Sequence, residues 1–164
     1  MRIVTECVIA GSHHLPNYEG KCKNVHGHNW RVKVCLDGWP LEIGPYKGML
    51  MDFSFIKEVV NSLDHRNLND VIENPTAENI AIWLCEEIKR IAAPNIENVI
   101  IQVYEMDKSY AQVSSEELEE KMMEQITEPP EIKVPNEPDK DIGTQVVEGS
   151  VEDDSESEDE AEGQ

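Results

Sequence analysis

Along the first 113 residues, apolar side chains recur at two different spacings. Arg2 to Ala10 is β-branched and mostly apolar, which predicts a strand. His26 to Leu36 alternates: His26, His28, Trp30, Val32 and Val34 share one parity, and Asn29, Arg31, Lys33 and Cys35 take the other. That period of two predicts a second strand. Between them, Gly11 to Lys23 is punctuated by Gly, Pro and Asn and reads as a loop; Asp37 to Gly48 is a turn region. The period then changes. Asp52 to Leu63 carries Phe55, Val59 and Leu63 at fourfold spacing behind Asp52 as a cap, and predicts an amphipathic helix. Thr76 to Ile91 predicts another, with Thr76 as N-cap and a stripe of Ile80, Trp83, Leu84 and Ile88. Asn98 to Glu105 and Tyr110 to Val113 return to strand. The order strand, strand, helix, helix, strand, strand predicts an α+β fold, with both helices on one face of a four-stranded sheet. No internal repeat is present.

Charge divides the chain in two. From Ser114 to Gln164 there are 19 acidic and 3 basic residues; Met1 to Val113 holds 15 acidic and 11 basic. The front segment, residues 1–113, is long enough for one core and reads as a single domain. Residues 114–164 have no aromatic side chain, several prolines and an acidic run from Glu152 to Glu160. Such a composition cannot offset its ordering entropy, so a disordered acidic tail is expected, with Glu116 to Ile126 able to form a short exposed helix. The tail reads as a solvated appendage or as a docking segment for a basic partner, which the sequence leaves unidentified. Its charge argues against nucleic-acid binding. Charge interrupts the first residues, so no secretion signal is read there, and no stretch approaches a membrane span. A cytoplasmic protein is expected, and its four unpaired-looking cysteines imply no disulfides. Cys7, Cys35 and Cys85 lie in apolar segments and read as buried; Cys22 does not.

The candidate chemistry lies around the histidines. In a strand, residues two apart project from one face, so His26 and His28 can aim both imidazoles at one point. His13 ends the first strand, which would pair with the second. Three converging neutral imidazoles suit Zn2+ with a fourth position open. Alternatively, Cys22 could complete a closed Cys-His-His-His structural site, and spacing does not separate the two. Asp64-His65 follows the first helix; a carboxylate beside an imidazole fixes its tautomer and makes a proton shuttle, or is simply a charged helix terminus. Glu105 ends an apolar strand, where a pocket would pair it with a cationic or multi-donor ligand.

These motifs occur in a single order: Ser12-His13-His14-Leu15, Cys22 before His26-Gly27-His28-Asn29, Met51-Asp52-Phe53, Leu63-Asp64-His65, Pro75-Thr76-Ala77-Glu78-Asn79 and Val103-Tyr104-Glu105. As a set they resemble the 6-pyruvoyltetrahydropterin synthase / 6-carboxytetrahydropterin synthase family over residues 2–113. The resemblance implies a T-fold subunit, an antiparallel four-stranded sheet with two helices, forming an oligomeric barrel as a homohexamer of stacked trimers. Closure through subunits would also cover the edges of so small a sheet. The resemblance further implies that His13, His26 and His28 hold Zn2+ and that Cys22 is the general base. Asp64 and His65 would complete a proton relay. Glu105 would anchor the pterin ring, with Thr76, Ala77 and Glu78 near it. The implied substrate is 7,8-dihydroneopterin triphosphate, yielding 6-pyruvoyltetrahydropterin in the biopterin branch or 6-carboxytetrahydropterin in the queuosine (7-deazaguanine) branch. Three residues separate Cys22 from His26, and the loop from His13 to Cys22 is short. Both features resemble the queuosine branch. A scaffold that binds zinc or pterin without turnover is the alternative outside catalysis. Ile9, His14 and Met106 depart from the family pattern, and His14 is read as a surface residue.

Overall fold

A computed structural model of the chain describes residues 1–127, so the disordered acidic tail expected over 114–164 lies outside the described residues from position 128 onward. The two alternating segments become β1 (Arg2–His13) and β2 (His26–Gly38). They pair antiparallel from Arg2 opposite Asp37 to His13 opposite His26. β2 pairs antiparallel with β4 (Ile96–Met106), which pairs with β5 (Ser109–Ser114). Ile9, Trp30, Val32, Val34, Val99, Ile101 and Val103 all face one way and are fully buried or nearly so. Each such side chain contributes roughly 1.5–3 kcal/mol of hydrophobic stabilisation.

Helices α1 (Phe53–Asn61) and α2 (Ala77–Ile91) cover that face. Both begin where the capping residues dictate. The Asp52 carboxylate accepts from the Ser54 N–H at 2.8 Å, and the Thr76 hydroxyl accepts from the Asn79 N–H at 3.3 Å. α2 buries Ile80, Leu84 and Ile88 of the expected stripe and leaves Trp83 half-buried. In α1 the buried stripe is rotated from the expected one. Ile56 and Val60 point into the core, as does Leu63 of the expected stripe just beyond the helix, whereas Phe55 and Val59 line the groove toward Trp83 and Ile91. Fourfold spacing admits two adjacent stripes on one helix, and contact with the sheet chose the other.

The sheet has five strands, not the four expected, in the order β3-β1-β2-β4-β5, and it is mixed rather than purely antiparallel. The added β3 (Arg66–Asn67) runs parallel to β1, with Arg66 opposite Gly11 and Asn67 opposite Ser12. Two residues carry no readable alternation; the strand exists because flanking groups stitch it to β1. Gly11 permits the close approach, since a Cβ there would meet the Leu68 side chain at 3.2 Å.

There is also a third helix, α3 (Ser115–Thr127), where two were expected in the domain. It follows β5 without a loop and starts in a capping box: the Ser114 N–H donates to the Glu117 carboxylate at 2.7 Å, and the Glu117 N–H donates to the Ser114 hydroxyl at 3.2 Å. Its first turn is not exposed. Ser115 is buried, accepts from the Val99 N–H at 3.1 Å and donates to Asn98 Oδ1 at 3.0 Å, while Leu118 packs against the core. Met122 and Met123 further along are exposed, as the sequence suggested for this helix. No helix among the described residues is long and apolar enough to cross a membrane.

Candidate metal centre and its surroundings

The pairing of β1 with β2 sets His13 directly opposite His26 and Gly11 opposite His28. Strand alternation then delivers all three imidazoles to one face. His13 and His28 stand edge-on to the buried Trp30 ring at 5.0 and 5.1 Å between centroids, and the Trp30 indole N–H donates to the Gly11 carbonyl at 3.3 Å. Trp30 is thus the floor of the cluster.

Two backbone carbonyls fix the tautomers. His13 Nδ1 lies 2.7 Å from the Pro75 carbonyl and His26 Nδ1 lies 2.8 Å from the Asn24 carbonyl. A carbonyl only accepts, so each Nδ1 carries the proton and each Nε2 keeps a lone pair. Those two Nε2 atoms are 3.1 Å apart. Two lone pairs facing at that distance repel unless a cation lies between them. His28 Nε2 is likewise buried without a hydrogen bond. Burial pushes the His13 imidazole below its ordinary pKa, ahead of the opposing Pro75 hydrogen bond, which keeps the ring neutral as a ligand must be. Ligand atoms of His13, His26, His28 and Glu105 all lie within 4.8 Å of one another. The donor set, nitrogen with one carboxylate oxygen, is one that zinc takes. Cys22 is not in this group, so the fourth group near the histidines is a carboxylate rather than the thiolate of a closed cysteine site.

Glu105 shares the inward parity of Val103 and Ile101 and lies at an irregularity between Tyr104 and Met106. It also walls a cavity of about 270 Å³ with His13, Leu15, Thr76, Ala77, Glu78, Ser109, Tyr110 and Ala111. The expected ring-binding residues therefore do meet at the metal cluster, brought there by the N-terminus of α2. The Glu78 side of that cavity and the cluster share His13 and Glu105 as their common wall.

Asp64 and His65 meet each other but not Cys22. Asp64 accepts from the Ala10 N–H at 2.8 Å and pairs with His65 Nδ1 at 3.0 Å. The Ala10 hydrogen bond holds the Asp64 carboxyl below its ordinary value, with His65 acting in the same direction. His65 has a left-handed backbone (φ 55°), donates its N–H to the Ala10 carbonyl at 2.7 Å, and leaves its side chain 82% exposed. That backbone is uncommon for a residue with a side chain and is held by its neighbours. His65 borders a separate cavity of about 460 Å³ with Gly11, Gly27, His28, Asn29 and Arg66. Cys22 sits half-buried in a 3₁₀ turn, Lys21–Lys23, tied by its carbonyl to the Leu15 N–H at 2.9 Å. Among the described residues, no hydrogen bond joins Cys22 to the Asp64–His65 pair.

Three participants escaped sequence reasoning. The Pro75 and Asn24 carbonyls have no signature, because any residue can supply them. Asn69 clasps the backbone after His13: it accepts from the His14 N–H and donates to the His14 carbonyl, both at 2.9 Å. His14 itself is half-buried with an enclosed Nδ1, not the surface residue expected. Of the cysteines, Cys35 and Cys85 are buried and Cys7 is half-buried. Burial pushes the Cys85 thiol up to about 11, consistent with an inert packing role.

The family model for 6-pyruvoyl tetrahydropterin synthase matches residues 2–116. A Synechocystis protein named 6-carboxy-5,6,7,8-tetrahydropterin synthase is 38% identical over 105 residues, covering 59% of this chain and 81% of that protein. Human 6-pyruvoyl tetrahydrobiopterin synthase is 32% identical over 104 residues, 55% of this chain and 68% of its own. A Pyrococcus furiosus dihydroneopterin monophosphate aldolase is 44% identical over 72 residues, 42% of this chain and 59% of its own. Among solved structures, Caenorhabditis elegans 6-pyruvoyl tetrahydropterin synthase superposes with a TM-score of 0.53 at 27% identity, covering 69% of this chain and 94% of that one.

Proposed function

This chain belongs to the 6-pyruvoyl tetrahydropterin synthase family, and from that premise we propose that it is a zinc-dependent 6-carboxytetrahydropterin synthase acting on 7,8-dihydroneopterin triphosphate. The observation that carries the reading is the cluster of three imidazoles, two of them tautomer-fixed, opening through His13 and Glu105 onto a cavity walled by Thr76, Ala77 and Glu78. The Synechocystis relative's name and the short Cys22 to His26 spacing favour the carboxy product.

His13, His26 and His28 would hold the metal, which when bound supplies Lewis acidity to the side-chain oxygens of the substrate. Glu105 accepts hydrogen bonds from the guanidine-like nitrogens of the pterin, orienting its side chain toward the histidines. Cys22 takes the proton from the hydroxylated side chain. Asp64 holds the His65 imidazole, which carries protons to and from the reacting carbons. The bonds to triphosphate and between the first and second side-chain carbons break. The first carbon stays on the ring as carboxylate, the other two leave as acetaldehyde, and water enters. The ring gains its two hydrogens at the side chain's expense, so no external reductant is needed. This chemistry would feed queuosine and other 7-deazaguanine synthesis in the cytoplasm.

Because the exposed His65 and Cys22 lack a mutual contact within one chain, the relay is assigned across subunits of a homohexamer. Mass spectrometry of products from the zinc-loaded protein and the triphosphate tests the reading. 6-Carboxytetrahydropterin with acetaldehyde is expected. 6-Pyruvoyltetrahydropterin would move the chain to the other branch. Turnover of the monophosphate alone would align it with the aldolase relative, and no turnover of either would leave a zinc-binding scaffold.

A further inference from the structure

Two claims converge on the Glu105 carboxylate. As a pterin anchor it should face the cavity and its ring donors. Yet its Oε1 lies 3.2 Å from His28 Nε2 and 3.8 Å from His13 Nε2, while His13 and His26 Nε2 are 3.1 Å apart. Around zinc, bonds of about 2.0–2.1 Å in a tetrahedron place neighbouring ligand atoms about 3.3–3.4 Å apart. The carboxylate oxygen thus reaches back from the cavity wall to the imidazole nitrogens, at distances near those of atoms that share a metal ion. Nothing else claims it: among the described residues, its polar neighbours are His13 and His28. It is also free to leave, being about a third exposed, on a long side chain, at an irregularity of the β4–β5 pairing and at the border of the 270 Å³ cavity.

We propose that Glu105 is an exchangeable fourth ligand, closing the metal centre when the cavity is empty and moving to the ring N–H groups when a pterin enters. The open position is then made by substrate rather than standing open to solvent. A resting centre of this kind excludes small anions and admits an oxygen of the substrate only after the ring has docked. The identity of the displacing ligand rests on the synthase reading; the closure of the resting centre does not.

The test uses the full chain loaded with Co2+, as wild type and as Glu105→Gln, a replacement of similar size at a partly exposed position. Visible cobalt bands are followed while thiocyanate is added, and metal release is followed by chelator competition. The variant is expected to respond to thiocyanate at concentrations that leave wild type unchanged, and to hold the metal about 10–100-fold more weakly. Adding 7,8-dihydroneopterin, which lacks phosphates, should shift the wild-type bands directly, as the carboxylate leaves and a side-chain oxygen takes its position. Equal responses of the two proteins without pterin would overturn the closure. Wild-type bands unmoved at saturating pterin would overturn the exchange. Failure of the synthase reading registers separately, as absence of product from the triphosphate with zinc-loaded protein.

Discussion

The candidate metal cluster and the Asp64–His65 pair are anchored a few residues apart on β1, through His13 and Ala10, yet they are built in opposite ways. The cluster is finished within one chain: His13 is 2% exposed, its ring is held by Pro75, and its neighbours converge on one point. The Asp64–His65 pair is anchored just as firmly, through Ala10, but presents its imidazole outward. The chain therefore carries the two halves of the candidate chemistry in unlike states, one converged and one turned outward.

The most damaging way to break the first half is His28→Ala. Metal affinity should fall by more than about 100-fold in chelator competition, because a ligand is lost rather than a supporting bond. The second half is tested by Cys22→Ala and His65→Ala, each expected to lower turnover by about 10²–10⁴-fold while leaving metal content unchanged. Mixing the two inactive variants after dissociation and reassembly should restore part of the activity if the halves come from different chains. No recovery would confine the relay to one chain. Asn69→Ala probes the joint between the halves. It removes both hydrogen bonds to His14, so a loss of about 1–3 kcal/mol in denaturant unfolding is expected. Metal affinity should drop about 10-fold with it.

The smallest effect expected is on acid stability. The Asp64 carboxyl is lowered in the folded chain, chiefly by the Ala10 N–H, so its contribution is present above the ordinary value of 3.8. It is lost as pH falls through the lower, folded value, the unfolded chain binding the proton first. Acid titration of wild type against Asp64→Asn should show a shallower acid limb in the variant, since asparagine keeps an acceptor and has no proton to bind there.

Much of this was legible because two strands alternate cleanly. His26, His28, Trp30, Val32 and Val34 share a parity, and the structure puts all five on the core face. Capping residues read equally well: Asp52 and Thr76 start their helices, whereas the Ser114–Glu117 cap of α3 went unread. What failed has physical reasons. β3 is a product of tertiary stitching, too short for any period. The stripe of α1 was ambiguous by one helical position until the sheet selected it. The position of Glu105 beside the imidazoles depends on strand pairing between distant segments, which no local pattern encodes. The domain boundary proposed at residue 113 falls one residue before the Ser114 cap of α3, a helix whose Ser115 and Leu118 are tied to β4 and the core.

The floor of the cluster has a use of its own. The chain has 3 tryptophans, and they occupy three different environments. Trp39 is largely exposed, Trp83 is half-buried in α2, and only Trp30 is sealed against two of the imidazoles. Its emission should be the blue component of the intrinsic fluorescence, and a paramagnetic ion held by His13 and His28 would quench that component ahead of the other two. The protein thus carries an internal optical gauge of occupancy at its own centre, readable without a label.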